Sequence, residues 1–438
     1  MIYEIHFINK MIEVILAMDC KGGIGYRGSM PWSVKLETFI FKIKTMGHSV
    51  IVGKTTYNTL PKLENRNVVV LSKNSEGILD ACFDSIEKAI EFCRSFGNTI
   101  FIIGGSQVYQ EVFENYKHLI TKVHYSIMKS EYTCDTFVEF PKDLIEQSTS
   151  QDFGDFIHYE YTPDVLGEIQ YLELIKDVLF NGFESTCRNG VTRRMFGKHL
   201  KFDLREGFPL LTTKKMFFRG IVEELLFFLR GDTDTKILEE KGINIWKGNT
   251  SREFLDKMGL DYPEGEMGPM YGYQWRFFNG EHIDQLSNVI EKLKKEPDSR
   301  RIMMTTFNPA QAELGVLYPC HSIIIQFFVE AGNLDMFCYN RSSDLFLGLP
   351  FNIASSALLQ MIVAKLTSLT PRYFNLSLGD AHVYKEHFDA IKTQISRVPN
   401  KFPGIEINCG ESFGEMRYED FKLVDYTSYP AIRAPMIA

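Results

Sequence analysis

Paired cysteines are missing from this chain. Its eight cysteines are scattered and no Cys-x-x-Cys occurs, so no zinc motif and no disulfide framework is read. A reduced, cytoplasmic compartment is the expectation, and no metal is expected. Basic charge is also short: 48 Lys plus Arg stand against 56 Asp plus Glu, a formal net charge of −8. With no RNA-recognition motif either, a nucleic-acid-binding module is disfavoured. Residues Met1 to Lys10 lack a basic start, a long apolar core and a small-residue cleavage site. That argues against a signal peptide, and Met11 offers a second candidate start. No stretch is read as long enough to span a membrane. What remains is globular: 45% apolar and 24% charged residues, with 438 residues enough for about two or three domains.

From Met11 to about Tyr161 short apolar runs alternate with helical ones. Ile12–Met18, Ser49–Gly53, Asn67–Leu71 and Thr99–Ile103 are nearly continuous in apolar residues, as strands buried on both faces of a parallel sheet are. Helical patterns lie over Val34–Thr45, Ser85–Phe96 and Gln107–Asn115. This is an α/β domain with a mostly parallel central sheet, and Val123–Met128 and Phe156–Tyr161 are expected as added edge strands. Gly104-Gly105 joins a strand to a helix; it permits either a tight turn or close approach of backbone N–H groups to a pyrophosphate. Gly53-Lys54-Thr55-Thr56 makes a second such junction, able to hold phosphate or to cap a helix with Thr55. Glu37 sits among Leu36, Phe39, Ile40 and Phe41. It reads either as a solvated residue at the stripe's edge or as a buried acid with a raised pKa.

Taken together these residues resemble dihydrofolate reductase. The likeness rests on Gly23-Ile24-Gly25, Met30-Pro31-Trp32 followed by Glu37, Gly53-Lys54-Thr55-Thr56 and Ile103-Gly104-Gly105-Ser106. The resemblance implies that Glu37 is the catalytic acid that binds the pterin ring, that Phe41 flanks the folate and that Arg66 takes its α-carboxylate. Ser126 stands where the family usually has a threonine bonded to that acid. Ala17, Ile24 and Ile103 would line the pterin and nicotinamide pockets. Thr56, Ser72, Lys73, Gly105 and Ser106 would hold NADPH, with Lys54 and Thr55 facing its phosphates. Gly25, Gly104, Gln107, Val108 and Tyr109 complete the cofactor set, and a cis Gly104–Gly105 bond is implied.

Pro163 and Gly167 mark a short junction, 163–167, between domains read as 11–162 and 168–438. Beyond it, helical runs Glu168–Phe180, Ile221–Arg230 and Phe351–Leu366 lie among strands, an α+β pattern. Glu223 and Glu224 fall inside the apolar run that starts at Ile221; one of them is expected to be solvated, since buried carboxylates are rare unless paired or catalytic. Tyr318-Pro319-Cys320-His321 precedes an apolar strand, a Gly332-Asn333 turn signal and a second strand that ends in Asn340-Arg341-Ser342-Ser343-Asp344. Such a hairpin brings Cys320 near Arg341. A guanidinium beside a thiol is expected to lower its pKa and favour the nucleophilic thiolate; from the pair alone, a buried structural cysteine with a surface arginine is the commoner reading.

This second half resembles thymidylate synthase from about Glu168 to the end. Pro319-Cys320-His321 and the run from Arg341 to Asn352 carry the likeness, with Glu224 in its apolar helix, Tyr271-Gly272, Arg300-Arg301 and Gly379-Asp380-Ala381-His382-Val383-Tyr384. The resemblance implies Cys320 as nucleophile, Glu224, Tyr271 and Asp344 as further catalytic residues, and Asn352 reading the uracil edge of dUMP. His382 and Tyr384 would bond the ribose, with His321 and Ser342 also in the nucleotide site. Arg341, Arg300, Arg301 and Arg188 would take the phosphate. The loop at Arg188 is one residue shorter than the family pattern, so Arg193 and Arg194 stay open as alternatives. Trp246, Asn249, Asp344, Gly348 and Phe351 would hold folate, and Ala434–Ala438 resembles the family's closing tail. The two resemblances imply an enzyme with two activities: dUMP to dTMP with methylenetetrahydrofolate, and NADPH-dependent reduction of dihydrofolate. A homodimer through the second domain is implied, with Arg300-Arg301 reaching the partner's site. The alternative is a thymidylate synthase whose first domain only binds folate or scaffolds.

Overall fold

The computed structural model describes residues 12–437, except 142–143, 145–147, 164–165, 188–189, 281–282 and 411. It divides after Leu166 into two compact units. In the first, the strands are β1 (Ile12–Asp19), β2 (Gly23–Gly25), β3 (Ser49–Gly53), β4 (Asn67–Leu71), β5 (Ala81–Phe83), β6 (Ile100–Ile102), β7 (Ile120–Met128), β8 (Thr136–Phe137), β9 (Thr149–Asp152) and β10 (Phe156–Tyr161). Eight of them form one sheet in the order β5-β4-β3-β6-β1-β7-β10-β9. Pairing is parallel from β5 to β7 and antiparallel for β10 and β9. Val50, Ile51 and Val52 are wholly buried, as strands covered on both faces must be. β7 is not an edge strand: β1 and β10 flank it, and Val123 and Tyr125 on one face and His124 and Ser126 on the other are all buried. The edges are instead the short β5 and the fully exposed β9.

The helices of this unit are α1 (Lys35–Thr45), α2 (Lys54–Tyr57), α3 (Ile86–Arg94) and α4 (Ser106–Asn115). Glu37 and Ile40 lie one turn apart on the buried side of α1, the i, i+3 spacing that faces a helix stripe inward. α2 begins directly after Gly53, the last residue of β3, and α4 directly after Gly105, neither with a side-chain cap. The Gly104–Gly105 peptide is cis.

In the second unit a six-stranded sheet runs β11 (Phe183–Cys187), β12 (Gly190–Asp203), β16 (Thr370–Tyr384), β15 (Asn333–Asp344), β14 (Ile324–Glu330), β13 (Met303–Thr305). Only β15 and β16 pair parallel within it. The hairpin joining β14 to β15 turns on Ala331 and Gly332, at φ 48° and 79°, with Glu330 paired to Asn333. Two central residues at positive φ suit the right-handed strand twist; the turn falls one residue before the Gly-Asn signal. The helices needed here are α5 (Glu168–Asn181), α6 (Phe218–Arg230), α7 (Gly272–Arg276), α8 (Gln285–Lys295), α9 (Gly348–Thr367) and α10 (Phe388–Ile395). α9 packs on β15 and β16, and α5 on β12 and β16. Ile325, Phe327, Met336 and Cys338 point into this core. By length and composition alone α9 could cross a membrane, contrary to expectation, but 78% of its apolar window is buried inside the unit. It is apolar all round because protein surrounds it.

Candidate functional sites

Every residue predicted for the first unit except Ser126 lines one cleft of about 1120 Å³. Parallel strands end along it, the usual ligand position in an open α/β sheet. The close approaches explain the glycines. A Cβ on Gly105 would stand 2.7 Å from Thr56 Oγ1, and one on Gly104 2.9 Å from the Tyr109 ring. Gly53 N–H donates to Gly104 O at 2.7 Å, and Tyr109 Oη to Ile15 O at 2.7 Å. The uncapped first turn of α4 leaves N–H groups for an anion, so these residues fit the pyrophosphate of a dinucleotide. Lys54 Nζ is turned to the carbonyls of Asn74 and Glu76, at 3.1 and 2.9 Å, where it pins the loop beside Ser72 and Lys73.

Glu37 is the only buried carboxylate among the lining residues, 7% exposed. Burial alone pushes its carboxyl up to about 7, which decides for the buried acid over the solvated one. The bond implied from Ser126 is not formed. Ser126 sits directly across the β7–β10 pair from His158, and its Oγ lies 3.1 Å from His158 Nδ1. Arg66 donates to Thr45 Oγ1, Glu64 O and Lys42 O at 2.9 to 3.0 Å, and its guanidinium lies 6.0 Å from the Phe41 ring. Those bonds fix its head against the end of α1 and on the cleft wall, using three of five N–H donors.

In the second unit the hairpin joins the predicted residues. Ser342 N–H donates to Cys320 O at 3.2 Å and Arg341 Nε to Pro319 O at 3.1 Å. Tyr271, at φ 38° before α7, places its hydroxyl 3.4 Å from Cys320 Sγ. Its ring stacks on His321 with centroids 4.2 Å apart. The thiol does not have a lowered pKa: burial pushes it up, and the Tyr271 hydroxyl and Arg341 only partly offset this. Sequence proximity to Arg341 could not show how deeply the sulfur is desolvated. Burial also holds His321 down at about 4, hence neutral.

Glu224 is 8% exposed and accepts from Trp246 Nε1 at 2.8 Å. Burial raises its carboxyl to about 7, and the indole N–H pulls the other way. Glu223 is not solvated either: it is buried and paired with Lys241 Nζ at 2.6 Å. Asp344 accepts from the N–H groups of Phe346 and Leu347, at 2.9 and 3.3 Å, and so braces the entry to α9. Gly348, Phe351 and Asn352 follow in the first turns of that helix. Asn249 N–H donates to Trp246 O at 3.0 Å. His382 Nδ1 lies 3.1 Å from Asp380 Oδ1, and its ring meets Tyr384 edge-on at 5.3 Å.

The arginines divide. Arg188 lies outside the described residues. Arg193 Nη1 donates to Leu179 O at 2.5 Å, whereas Arg194 pairs with Asp380 at 2.7 Å, opposite His382 in the β12–β16 register. Arg300 and Arg301 are exposed, and among the described residues neither contacts Cys320, Arg341 or His382. Lys214 was not foreseen. Its Nζ donates to Phe346 O and lies 3.9 Å from that ring's centroid; burial lowers it to about 7, opposed by Asp344 and Glu168. A lysine following the apolar Pro209-Leu210-Leu211 run was the available signal.

The family model for thymidylate synthase matches residues 169–438, and that for dihydrofolate reductase matches 11–155. A protein of Paramecium tetraurelia named bifunctional dihydrofolate reductase-thymidylate synthase is 38% identical, over 98% of this chain and 99% of its own length. Proteins so named from Zea mays and Leishmania amazonensis are each 34% identical, over 97% and 98% of this chain and 96% and 95% of their own lengths.

Proposed function

The chain belongs to the bifunctional dihydrofolate reductase–thymidylate synthase family, and on that premise we propose how its two sites carry the two reactions. It is an enzyme with both activities, methylating dUMP to dTMP with methylenetetrahydrofolate and reducing dihydrofolate with NADPH. The scaffold reading of the first domain falls, since relatives of that name match across both halves.

In the synthase unit, Cys320 Sγ bonds to C6 of dUMP, and the electrons of the 5,6 double bond make C5 nucleophilic. Tyr271 and Arg341 supply the stabilisation that a buried thiolate lacks. Methylenetetrahydrofolate brings the one-carbon unit and the reducing equivalent and leaves as dihydrofolate. Glu224, near neutrality, can hold or release a proton at working pH and acts through water, with Tyr271 beside it. Asn352 reads the uracil edge. His382 and Tyr384 hold the ribose. The phosphate falls to Arg341 with Ser342, and to Arg188, with Arg193 and Arg194 as the alternatives; Arg193 has one N–H on Leu179 O and Arg194 is paired with Asp380. Asp344, Trp246, Asn249, Gly348 and Phe351 hold folate.

In the reductase unit, NADPH supplies the reducing equivalent when bound. Gly104, Gly105 and the first turn of α4 would hold its pyrophosphate, and Thr55, Thr56, Ser72 and Lys73 its remaining polar groups. Glu37 anchors the pterin and keeps a proton at neutral pH, because its desolvated carboxyl resists ionisation. The observation that carries the reading is this pair of buried acids poised near neutrality, one in each unit. The deciding assay supplies dUMP, methylenetetrahydrofolate and NADPH together. Both dTMP and tetrahydrofolate should accumulate, and tetrahydrofolate must be absent when NADPH is left out.

The synthase unit pairs with a second copy through the outer face of its sheet. Met303, Ile324, Phe328 and Phe337 alternate with the core positions yet stay 37 to 59% exposed. An outward sheet face that leaves four large apolar side chains exposed suits an isologous contact. Arg300 and Arg301 would then serve the partner's phosphate site. Cys320→Ser and Arg301→Ala proteins, each inactive and then refolded together, should regain about a quarter of wild-type synthase activity, from half the dimers having one good site. No recovery despite proven subunit exchange would place Arg301 in its own chain's site.

A further inference from the structure

Below the last turn of α1 lies a cluster of titratable groups that neither reaction uses. His124 and Ser126 alternate along β7, and β10 sets Glu160 opposite His124 and His158 opposite Ser126. A period of two puts these four side chains on one face of the sheet. Both imidazoles are buried, His124 3% and His158 8% exposed. His124 Nδ1 lies 3.1 Å from Glu160 Oε1, and His158 Nε2 lies 3.9 Å from the same oxygen. One ligand atom from each of the three residues lies within 4.8 Å of the other two. Ligands at zinc distances around a tetrahedral ion stand about 3.4 Å apart, so small side-chain shifts would close the set.

The other ring nitrogens are already held. His124 Nε2 is 2.8 Å from Glu13 Oε2, and His158 Nδ1 is 3.1 Å from Ser126 Oγ. A carboxylate or hydroxyl on one nitrogen fixes the tautomer of a ligating histidine and aims the other nitrogen at the ion. The nitrogen so aimed, His158 Nε2, is a buried polar atom with no hydrogen-bond partner, and such atoms are rare in folded proteins.

We propose that His124, His158 and Glu160 bind a divalent d-block ion of the zinc class, with water completing its coordination. Two imidazoles and one carboxylate favour such an ion over the harder magnesium or calcium. Two ammonium groups share the carboxylate: Lys44 Nζ lies 2.5 Å from Oε1 and Lys122 Nζ 2.9 Å from Oε2. Lys44 therefore occupies the oxygen the ion needs, and binding is an exchange at Oε1. Its side chain is 24% exposed in the last turn of α1, so the ammonium can swing into solvent while Lys122 keeps Oε2.

Titration of the metal-stripped full-length protein with cobalt(II) chloride tests this. One cobalt per chain should develop the visible d–d absorption of a low-coordinate ion, zinc chloride should displace it, and zinc should raise Tm. His158→Ala and the isosteric Glu160→Gln should each weaken the absorbing site at least about tenfold. Lys44→Met should tighten it, because the competitor is gone. Cobalt bound at cysteines elsewhere would persist in all three variants. The proposal is overturned if the wild type gives no such band, if the band survives both His158→Ala and Glu160→Gln, or if Lys44→Met fails to strengthen binding.

Discussion

Glu37 and Glu224 reach the same protonation range by different routes. Each is a buried carboxyl raised to about 7 by desolvation. Glu37 stands on the wall of a wide cleft, and burial is the one influence on it. Glu224 is buried beside the Trp246 indole, whose donated N–H holds it partly back. The reductase unit thus offers a lone acid beside a preformed cradle and leaves the redox chemistry to its cofactor. The synthase unit must supply the nucleophile itself, so the Cys320 thiol, the Tyr271 phenol and the His321 imidazole are packed in contact, with the Glu224 carboxyl bonded to Trp246 nearby. A lone group can be removed without disturbing its neighbours; a packed set cannot.

The largest test of that contrast is Cys320→Ser. Synthase turnover should fall by at least about 10,000-fold, while NADPH-dependent dihydrofolate reduction keeps its rate, both followed by product assay. Loss of both activities in a folded protein would end the picture of two independent sites. Next is Glu37→Gln, expected to lower reductase turnover about 100- to 10,000-fold at pH 7 and less in acid, where solution protons are plentiful. The same change should stabilise the reductase domain. The folded pKa of Glu37 lies above its unfolded value, so its contribution is intact below about 4.5 and is lost as pH rises through about 7. At pH 8 the amide should recover up to about 3 kcal/mol, with no gain at pH 4, read from denaturant melts. An unchanged reductase rate would return Glu37 to the role of a bystander.

The smallest effect is expected from Trp246→Phe. Removing the N–H takes away a bond that favours the charged carboxylate, so the Glu224 pKa must rise. The acidic limb of the synthase pH–rate profile should move up by about one pH unit. A stationary limb would mean that Trp246 does not tune the acid.

Much of the frame was readable because the residues carry their own period. The runs Val50–Val52 and Val68–Val70 admit little but buried strand, and the helix pattern that ends at Arg230 is stopped by Gly231 at φ 77°. What was unreadable depended on register. Ser126 meets His158 rather than Glu37 only because β10 pairs with β7 at that offset, and nothing local encodes the offset. Burial was likewise invisible. Arg341 was placed near Cys320 correctly, yet desolvation outweighs its charge. The expectation that one of Glu223 and Glu224 is solvated fails for both, because the partner that lets Glu223 stay buried, Lys241, lies 18 residues away in sequence.

The turn at Ala331–Gly332 has a consequence for length variation. β14 and β15 alternate strictly, with Phe327, Met336 and Cys338 inside and Phe328 and Phe337 outside. One residue added or lost between Asn333 and Asn340 would exchange the two sets and carry Arg341 off the Cys320 loop, unless a bulge absorbed it. A residue added at the tip, where a Cβ on Gly332 would meet nothing within 4 Å, leaves the parity untouched. Insertions among homologues should therefore gather at Ala331–Gly332 and be barred from the strand that follows.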